Sequence, residues 1–314
     1  MNTIKWVIAH EPIDLFLKAA QRFSDAVYKK TSGDISIEIL SLTEYGQKYN
    51  NCQRVTKHDL LQLMEDGQVE MSQMYTTWLG HYNKDMFVLD LPFLFRDHTH
   101  ADHVLEGAIG EYILDGLQKT SAVRGLAFTY SGGYRVIPAN KELATVEAFR
   151  GTKIRTSRSP VAIDTFEALG ATVNSKVELE EMNQAADDGI IEAGESTFVR
   201  IIPLKQNDSF EYVNDTAHSL FLTSIIIGTK FWDTLSPEIQ DIMKDAALDA
   251  ARAERKEAVE QIPEIIDYCK SKNVPVVSMS SQETEKFKQM TSHLYDKYRD
   301  YFSDDLISKI VKSQ

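Results

Sequence analysis

Cysteine is almost missing from this chain, with Cys52 and Cys269 the two present among 314 residues. Neither belongs to a C-x-x-C pair. Zinc-ribbon and thioredoxin-type chemistry are therefore excluded, and at most one disulfide is available to the fold. No run of ~18 apolar residues occurs, which excludes a transmembrane helix. Positive charge is in deficit: 34 Lys and Arg face 47 Asp and Glu, a net charge of −13. Such a surface repels nucleic-acid phosphate. Walker, G-x-S-x-G and H-E-x-x-H motifs are absent, and no cysteine has a nucleophile's context. Paired acids such as Asp187–Asp188 read as solvated helix-end residues, so an enzyme reading has no constellation behind it. The start of the chain, MNTIKWVIAHEP, lacks a basic region followed by an apolar stretch and does not read as a signal peptide. The expectation is either a cytoplasmic protein or a mature domain whose export signal has been removed.

What is present describes a globular protein. Hydrophobic residues make up 43% and charged residues 26%, and the length suits two domains. Strand-like runs alternate with helical ones. IKWVIA reads as a strand. The following segment places Leu15, Phe16, Ala19, Ala20, Phe23, Ala26 and Val27 at helical spacing, and Gly33 ends it. ISIEIL, a helix over VTKHDLLQLMEDG, and VEMSQMY continue the rhythm. Alternation of this kind implies a mainly parallel sheet covered by helices.

VRGLAFTYSGGYRVIPANKE reads as strand broken by Gly132 and Gly133, and as the passage into a second domain. That glycine pair lacks the spacing of a dinucleotide loop. HSLFLTSIIIGTKFW reads as a strand crossing back to the first domain. A long helix is predicted from Ser236 and Pro237 to about Lys272, with Pro263 as its kink or break.

FRGTKIRTSRSPVAIDTFEALG puts Arg155 at the end of a short strand. Ser159 follows as N-cap, Pro160 opens a helix and Gly170 closes it. In α/β proteins the carboxyl ends of strands are where ligands sit. The position alone leaves two readings, an anion-binding arginine or a structural ion pair.

Several blocks resemble one family, in order and along nearly the whole chain. They are KKTSGDISIEIL, DGQVEMSQMYTTWLG, LDLPFLFRDHTHADHVLEG, SGGYRV, FRGTKIR, FEALGATV, GIIEAGES and KFWDTLSPEIQDIMKDAA. The sequence resembles the DctP-type extracytoplasmic solute receptors of TRAP transporters. The resemblance implies an α/β, two-lobed periplasmic-binding-protein-like fold that closes on its ligand, with a long helix spanning both domains. The expected domains are 1–128 with about 217–255, and 129–216 with about 256–314. The implied function is binding of a small organic acid, such as a sugar acid or another hydroxy or keto carboxylate. Delivery would be to the permease subunits of a membrane transporter, from the periplasm. The competing classes are a lyase or hydrolase acting in the cleft and a sensory receptor with a signalling partner.

The resemblance assigns the ligand carboxylate to Arg155, in the family's GxKIR element, and matches a second arginine to Arg135 in GGYR. The family's Glu-Asn-Pro run appears here as Glu195-Ser196-Thr197, so a serine, Ser196, stands where an asparagine is usual. Glu11, Tyr75 and Trp78 follow strands and are further ligand candidates, with His10 a weaker one. Aromatic rings at such positions either stack on a ligand or pack in the core. Glu195 is expected to be structural, His218 a satisfied core histidine, and Arg158 and Arg200 solvated. Neither a cofactor nor a metal site is expected.

Overall fold

The computed structural model describes residues 2–10 and 14–313. The strands in chain order are β1 (Asn2–Ile8), β2 (Ile35–Ser41), β3 (Met71–Tyr75), β4 (Val123–Ala139), β5 (Lys153–Arg155), β6 (Thr172–Asn174), β7 (Ala193–Gly194), β8 (Ser196–Thr197), β9 (Tyr212–Asp215), β10 (Leu220–Gly228) and β11 (Val276–Ser278). The chain divides into two compact units. Unit 1 holds residues 1–75, 104–130 and 223–257, and unit 2 holds 76–103, 131–222 and 258–314. The chain therefore passes between units at five places.

In unit 1, β1 runs parallel to both β2 and β3, with Trp6 opposite Ile39 on one side and Met71 on the other. β10 joins β3 in antiparallel register, Thr223 opposite Tyr75. The helix Asp14–Lys30 turns Leu15, Phe16, Ala19, Ala20, Phe23 and Val27 inward, the stripe its spacing predicts. Phe23 meets Trp6 edge-on at 5.2 Å. Each of these large side chains is fully buried, a burial that contributes roughly 1.5–3 kcal/mol apiece.

In unit 2, β5 is parallel to β6 and β7, while β4 is antiparallel to β7, β8 and β9. Ile137, Phe149, Ile154, Phe166 and Phe287 form its core. The helix Pro160–Ala168 begins as the sequence predicts: the Ser159 side chain accepts from the Ala162 amide and Pro160 occupies the first turn. Gly170, at φ +76°, ends the turn beyond it.

Two expectations are corrected. β4 is one continuous strand, not two pieces separated at the glycines. Gly132 and Gly133 lie inside it at φ +103° and +85°, where a side chain is strained, and a Cβ at Gly132 would stand 2.3 Å from Thr197 Oγ1. Residues 76–103, placed with the first domain by the sequence, belong to unit 2. Their 3-10 stretch Lys84–Asp90 packs on the helices Pro160–Ala168 and Leu306–Lys312, which begin 70 and 216 positions after Asp90.

The long helix is present as Pro237–Glu260 followed by Ile262–Ser271, with the break at Gln261 and Pro263 in the first turn of the second piece. It begins in unit 1 and continues in unit 2. Cys52 is exposed and Cys269 buried, and neither is in a disulfide.

Candidate functional site

Three short strands of unit 2 set the geometry around Arg155. Its residue lies opposite Gly194 in the β5–β7 pair, and its carbonyl accepts from the Glu195 amide at 3.0 Å. A Cβ at Gly194 would stand 2.4 Å from Met182 Cε, so the flexible end of that methionine would have to shift to admit one. One residue further, Ser196 pairs with Val136 and Thr197 with Arg135 across β4 and β8. The run Gly194–Thr197 thus stitches the Arg155 strand to the Arg135 strand, and Glu195 sits between them.

Arg155 is 7% exposed. Its Nε donates to the Val177 carbonyl at 2.9 Å. That is the guanidinium's one hydrogen bond among the described residues, and the two outer nitrogens, the fork that grips a carboxylate, are left over. Burial lowers the Arg155 pKa from the usual arginine value, Glu195 opposing and Arg135 adding to the shift.

Arg135 differs. It is 1% exposed, with Nε 3.6 Å from Glu195 Oε1 and Nη2 3.5 Å from Asp90 Oδ1. Its face lies over the Phe221 ring, 4.0 Å from the centroid, a cation–π contact in a desolvated setting. Nη1 has no hydrogen-bond partner among the described residues.

Glu195 is the hub. His218 Nε2 lies 2.9 Å from Glu195 Oε1, Thr156 donates its hydroxyl to Oε2, and His218 Nδ1 is 2.7 Å from Thr216 Oγ1. Burial alone would raise the Glu195 carboxyl, but Arg135, His218 and Thr156 together hold it down at about 2. Asp90 is the opposite case. Burial pushes it up to about 6, against the pull of Arg135 and Ser159, with Glu195 adding to the rise. Two buried acids therefore share one guanidinium, and their environments drive them apart.

Of the predicted residues, Arg135, Arg155 and Ser196 come together in unit 2. Ser196 is fully buried and its Oγ has no hydrogen-bond partner among the described residues. Trp78, also in unit 2, is half-buried in the short helix Thr76–Leu79 and edge-on to His81 at 5.9 Å. Tyr75 is buried in unit 1 and stacks on His10 with ring centroids 3.4 Å apart. Glu11 lies outside the described residues. Arg158 pairs with Glu178 at 2.9 Å.

Arg200 is not solvated as expected. It is buried, donates to Ser131 Oγ and lies 5.2 Å from the Phe221 centroid, on the same ring as Arg135. Its neighbours in sequence gave no sign of this, because the ring it covers lies 21 residues on. Asp90 was missed altogether. Its signal was an acid inside the apolar run LDLPFLF, where an unpaired charge would be costly.

The comparisons with known proteins agree with the fold. The model of the bacterial extracellular solute-binding protein family 7, DctP, matches residues 8–300. The C4-dicarboxylate-binding protein DctB of Bacillus subtilis is 24% identical over 94% of this chain and 81% of its own length. The 2,3-diketo-L-gulonate-binding periplasmic protein YiaO of Escherichia coli is 25% identical over 92% of this chain and 83% of its own. A TRAP periplasmic solute-binding protein of Pseudomonas putida, solved with bound D-glucuronate, superposes with a TM-score of 0.86 at 23% identity, covering 100% of this chain and 98% of that one. With the family model spanning nearly its full length, the chain belongs to bacterial extracellular solute-binding protein family 7, the DctP-type receptors of TRAP transporters.

Proposed function

We propose that this protein is the solute receptor of a TRAP-type transporter and that Arg155 binds the carboxylate of a small organic acid. The observation that supports the reading is the buried guanidinium whose outer nitrogens have no partner among the described residues. A planar fork of this kind matches a carboxylate through two parallel hydrogen bonds, each charge-assisted. Arg135 stands beside it with its charge already balanced by Glu195 and Asp90. It supports the ligand chiefly through Nη1 and through the rigidity of the cluster. The Ser196 hydroxyl is the neutral donor in the same neighbourhood.

The relatives' ligands share one chemical feature. A C4-dicarboxylate, 2,3-diketo-L-gulonate and D-glucuronate all carry a carboxylate. Two of the three also carry hydroxyls, for which Ser196, Glu11, Tyr75 and the Trp78 face are the candidate contacts. Binding would be coupled to closure about the five chain crossings, which excludes water and strengthens the ion pair. The closed receptor would then deliver the acid from the periplasm to a separate membrane permease.

A thermal-shift screen against hydroxy, keto and dicarboxylic acids, D-glucuronate included, identifies the ligand. Calorimetric titration then compares Arg155→Met and Arg155→Lys with the wild type. Loss of a buried charge-assisted pair of ~3 kcal/mol corresponds to more than a hundredfold in Kd. Near wild-type affinity of Arg155→Met for a carboxylate would make Arg155 a structural residue and end this reading.

A further inference from the structure

A second buried polar cluster lies in unit 1 and plays no part in the reading above. Glu254, on the helix Pro237–Glu260, is 0% exposed. Among the described residues its carboxyl has a single hydrogen-bonding partner, Gln73 on β3, whose Nε2 stands 3.0 Å from each carboxyl oxygen. The same nitrogen is 2.9 Å from Thr129 Oγ1 on β4 and 3.0 Å from Thr223 Oγ1 on β10, and these two hydroxyls bond to each other.

One amide nitrogen has two hydrogens and here faces four oxygens, while Gln73 Oε1 is buried without a partner among the described residues. The cluster is short of a donor. The charged groups acting on Glu254 are Arg255 and Glu257 of its own helix and Arg22 of the helix Asp14–Lys30. Arg22 is committed to Glu257, and Arg255 to Glu106 and the Phe128 carbonyl. Among the described residues the strands β3, β4 and β10 offer no cation to the carboxyl. Their ionisable residues in unit 1 are Tyr75, stacked on His10, Tyr130, beneath Arg255, and Arg124, paired with Asp115, while Lys5 on β1 is paired with Glu70 and Glu38 on β2 with Lys48. A buried carboxylate without a cation is strongly disfavoured, whereas a protonated carboxyl is itself a donor, and with the Gln73 amide turned over, Oε1 takes the place of Nε2 and accepts that proton. Burial accordingly raises this acid well above the usual glutamate range.

The positions of these residues give the cluster a role. Gln73, Thr129, Thr223 and Glu254 each lie within three residues of the unit 1 end of a different crossing. The fifth crossing, after His103, is followed by Glu106, which Arg252 and Arg255 of the same helix hold. We propose that Glu254 is carried as the neutral acid and that, with Arg255, it anchors the unit 1 ends of all five crossings to the helix Pro237–Glu260. This anchor goes beyond ligand recognition and is independent of which ligand binds.

Two variants of the unliganded full chain test it. Glu254→Gln keeps the shape and supplies a permanent N–H donor. Its folding constant relative to wild type should match at pH 4 and gain by up to roughly tenfold per pH unit as pH rises through neutrality, because the folded wild type holds a proton that the unfolded chain releases. Parallel pH profiles for the two proteins would overturn the proposal. Glu254→Ala should raise amide hydrogen exchange together at residues 73–75, 129–130 and 223–224, while Glu254→Gln leaves it as in wild type. A rise confined to the helix Pro237–Glu260 would refute the anchor. Should neither variant fold, the wild-type infrared spectrum in D2O decides: a protonated-carboxyl C=O band must persist at pH 8, and its absence sinks the idea.

Discussion

Arg155 and Glu195 are joined through their backbones and kept apart through their side chains. The Glu195 amide donates to the Arg155 carbonyl at 3.0 Å, yet the Glu195 carboxylate turns to His218 and Arg135. Neighbouring strands so deliver an arginine and an acid to one place without pairing them. The acid neutralises Arg135, and Arg155 keeps its fork.

The first prediction follows from that separation. Arg155 gives up hydration and gains one backbone hydrogen bond, so its removal should cost the unliganded protein little. Arg155→Met is expected to stay within about 1 kcal/mol of wild type, a few degrees in Tm at most. Differential scanning calorimetry without ligand checks this. A loss of ~3 kcal/mol or more would mean that Arg155 has a structural partner.

Glu195→Gln should behave in the opposite way. It removes a charge that Arg135 needs, and breaking a buried pair costs ~3–5 kcal/mol. The pH dependence has a definite sign. Glu195 sits at about 2 in the fold against 4.5 ordinarily. Its stabilising contribution is complete above pH 4.5 and is lost as pH falls toward 2. The gap between wild type and Glu195→Gln in urea melts should therefore close on acidification through that window. A gap independent of pH would remove Glu195 as the counter-ion.

Asp90 titrates with the reverse sign. Its carboxyl stands at about 6 in the fold and 3.8 ordinarily, so the folded state holds a proton that the unfolded chain gives up between those values. Stability from this group falls as pH rises from 3.8 to 6 and is flat above. Asp90→Asn should gain on wild type across that interval, by on the order of 3 kcal/mol in total. Urea melts at pH 4, 5, 6 and 7 measure it. A gain that continued unchanged above pH 7 would point to another group.

How much of this was legible in the sequence depends on the range of the interaction. The stripe Leu15–Val27, the Ser159–Pro160 helix start and the break at Pro263 rest on neighbours within a few residues, and local chemistry decides them. Arg155 could be singled out by its place at the end of a strand, but a fork without a partner among the described residues could not. That depends on Val177, 22 residues away, taking only Nε. The burial of Arg200 and the pairing of Asp90 with Arg135 depend on strand register and on a 3-10 stretch docking on distant helices. Residue spacing carries no record of either. Glu195 was legible as an acid in a strand-like run, but its hub role needed Arg135 on β4, Thr156 just after β5 and His218 just before β10 to converge.

Ser196 gives the last prediction, because one atom answers for two properties. Its hydroxyl is fully buried and has no partner among the described residues. An unsatisfied buried polar group costs roughly 1–3 kcal/mol, more than the hydroxyl's packing returns. Ser196→Ala should therefore leave the unliganded protein as stable as wild type or raise it by about 1 kcal/mol. If the hydroxyl donates to the bound acid, the same change should weaken binding by about tenfold, a net neutral hydrogen bond of ~1 kcal/mol or slightly more. The two effects have opposite signs in one experiment. The ligand-free melting temperature should hold or rise while the shift produced by saturating ligand shrinks. A ligand-free Tm that falls by several degrees would show that the Oγ has a structural partner. An unchanged ligand shift would take Ser196 out of the binding site and leave Arg155 and Arg135 as its polar contacts in unit 2.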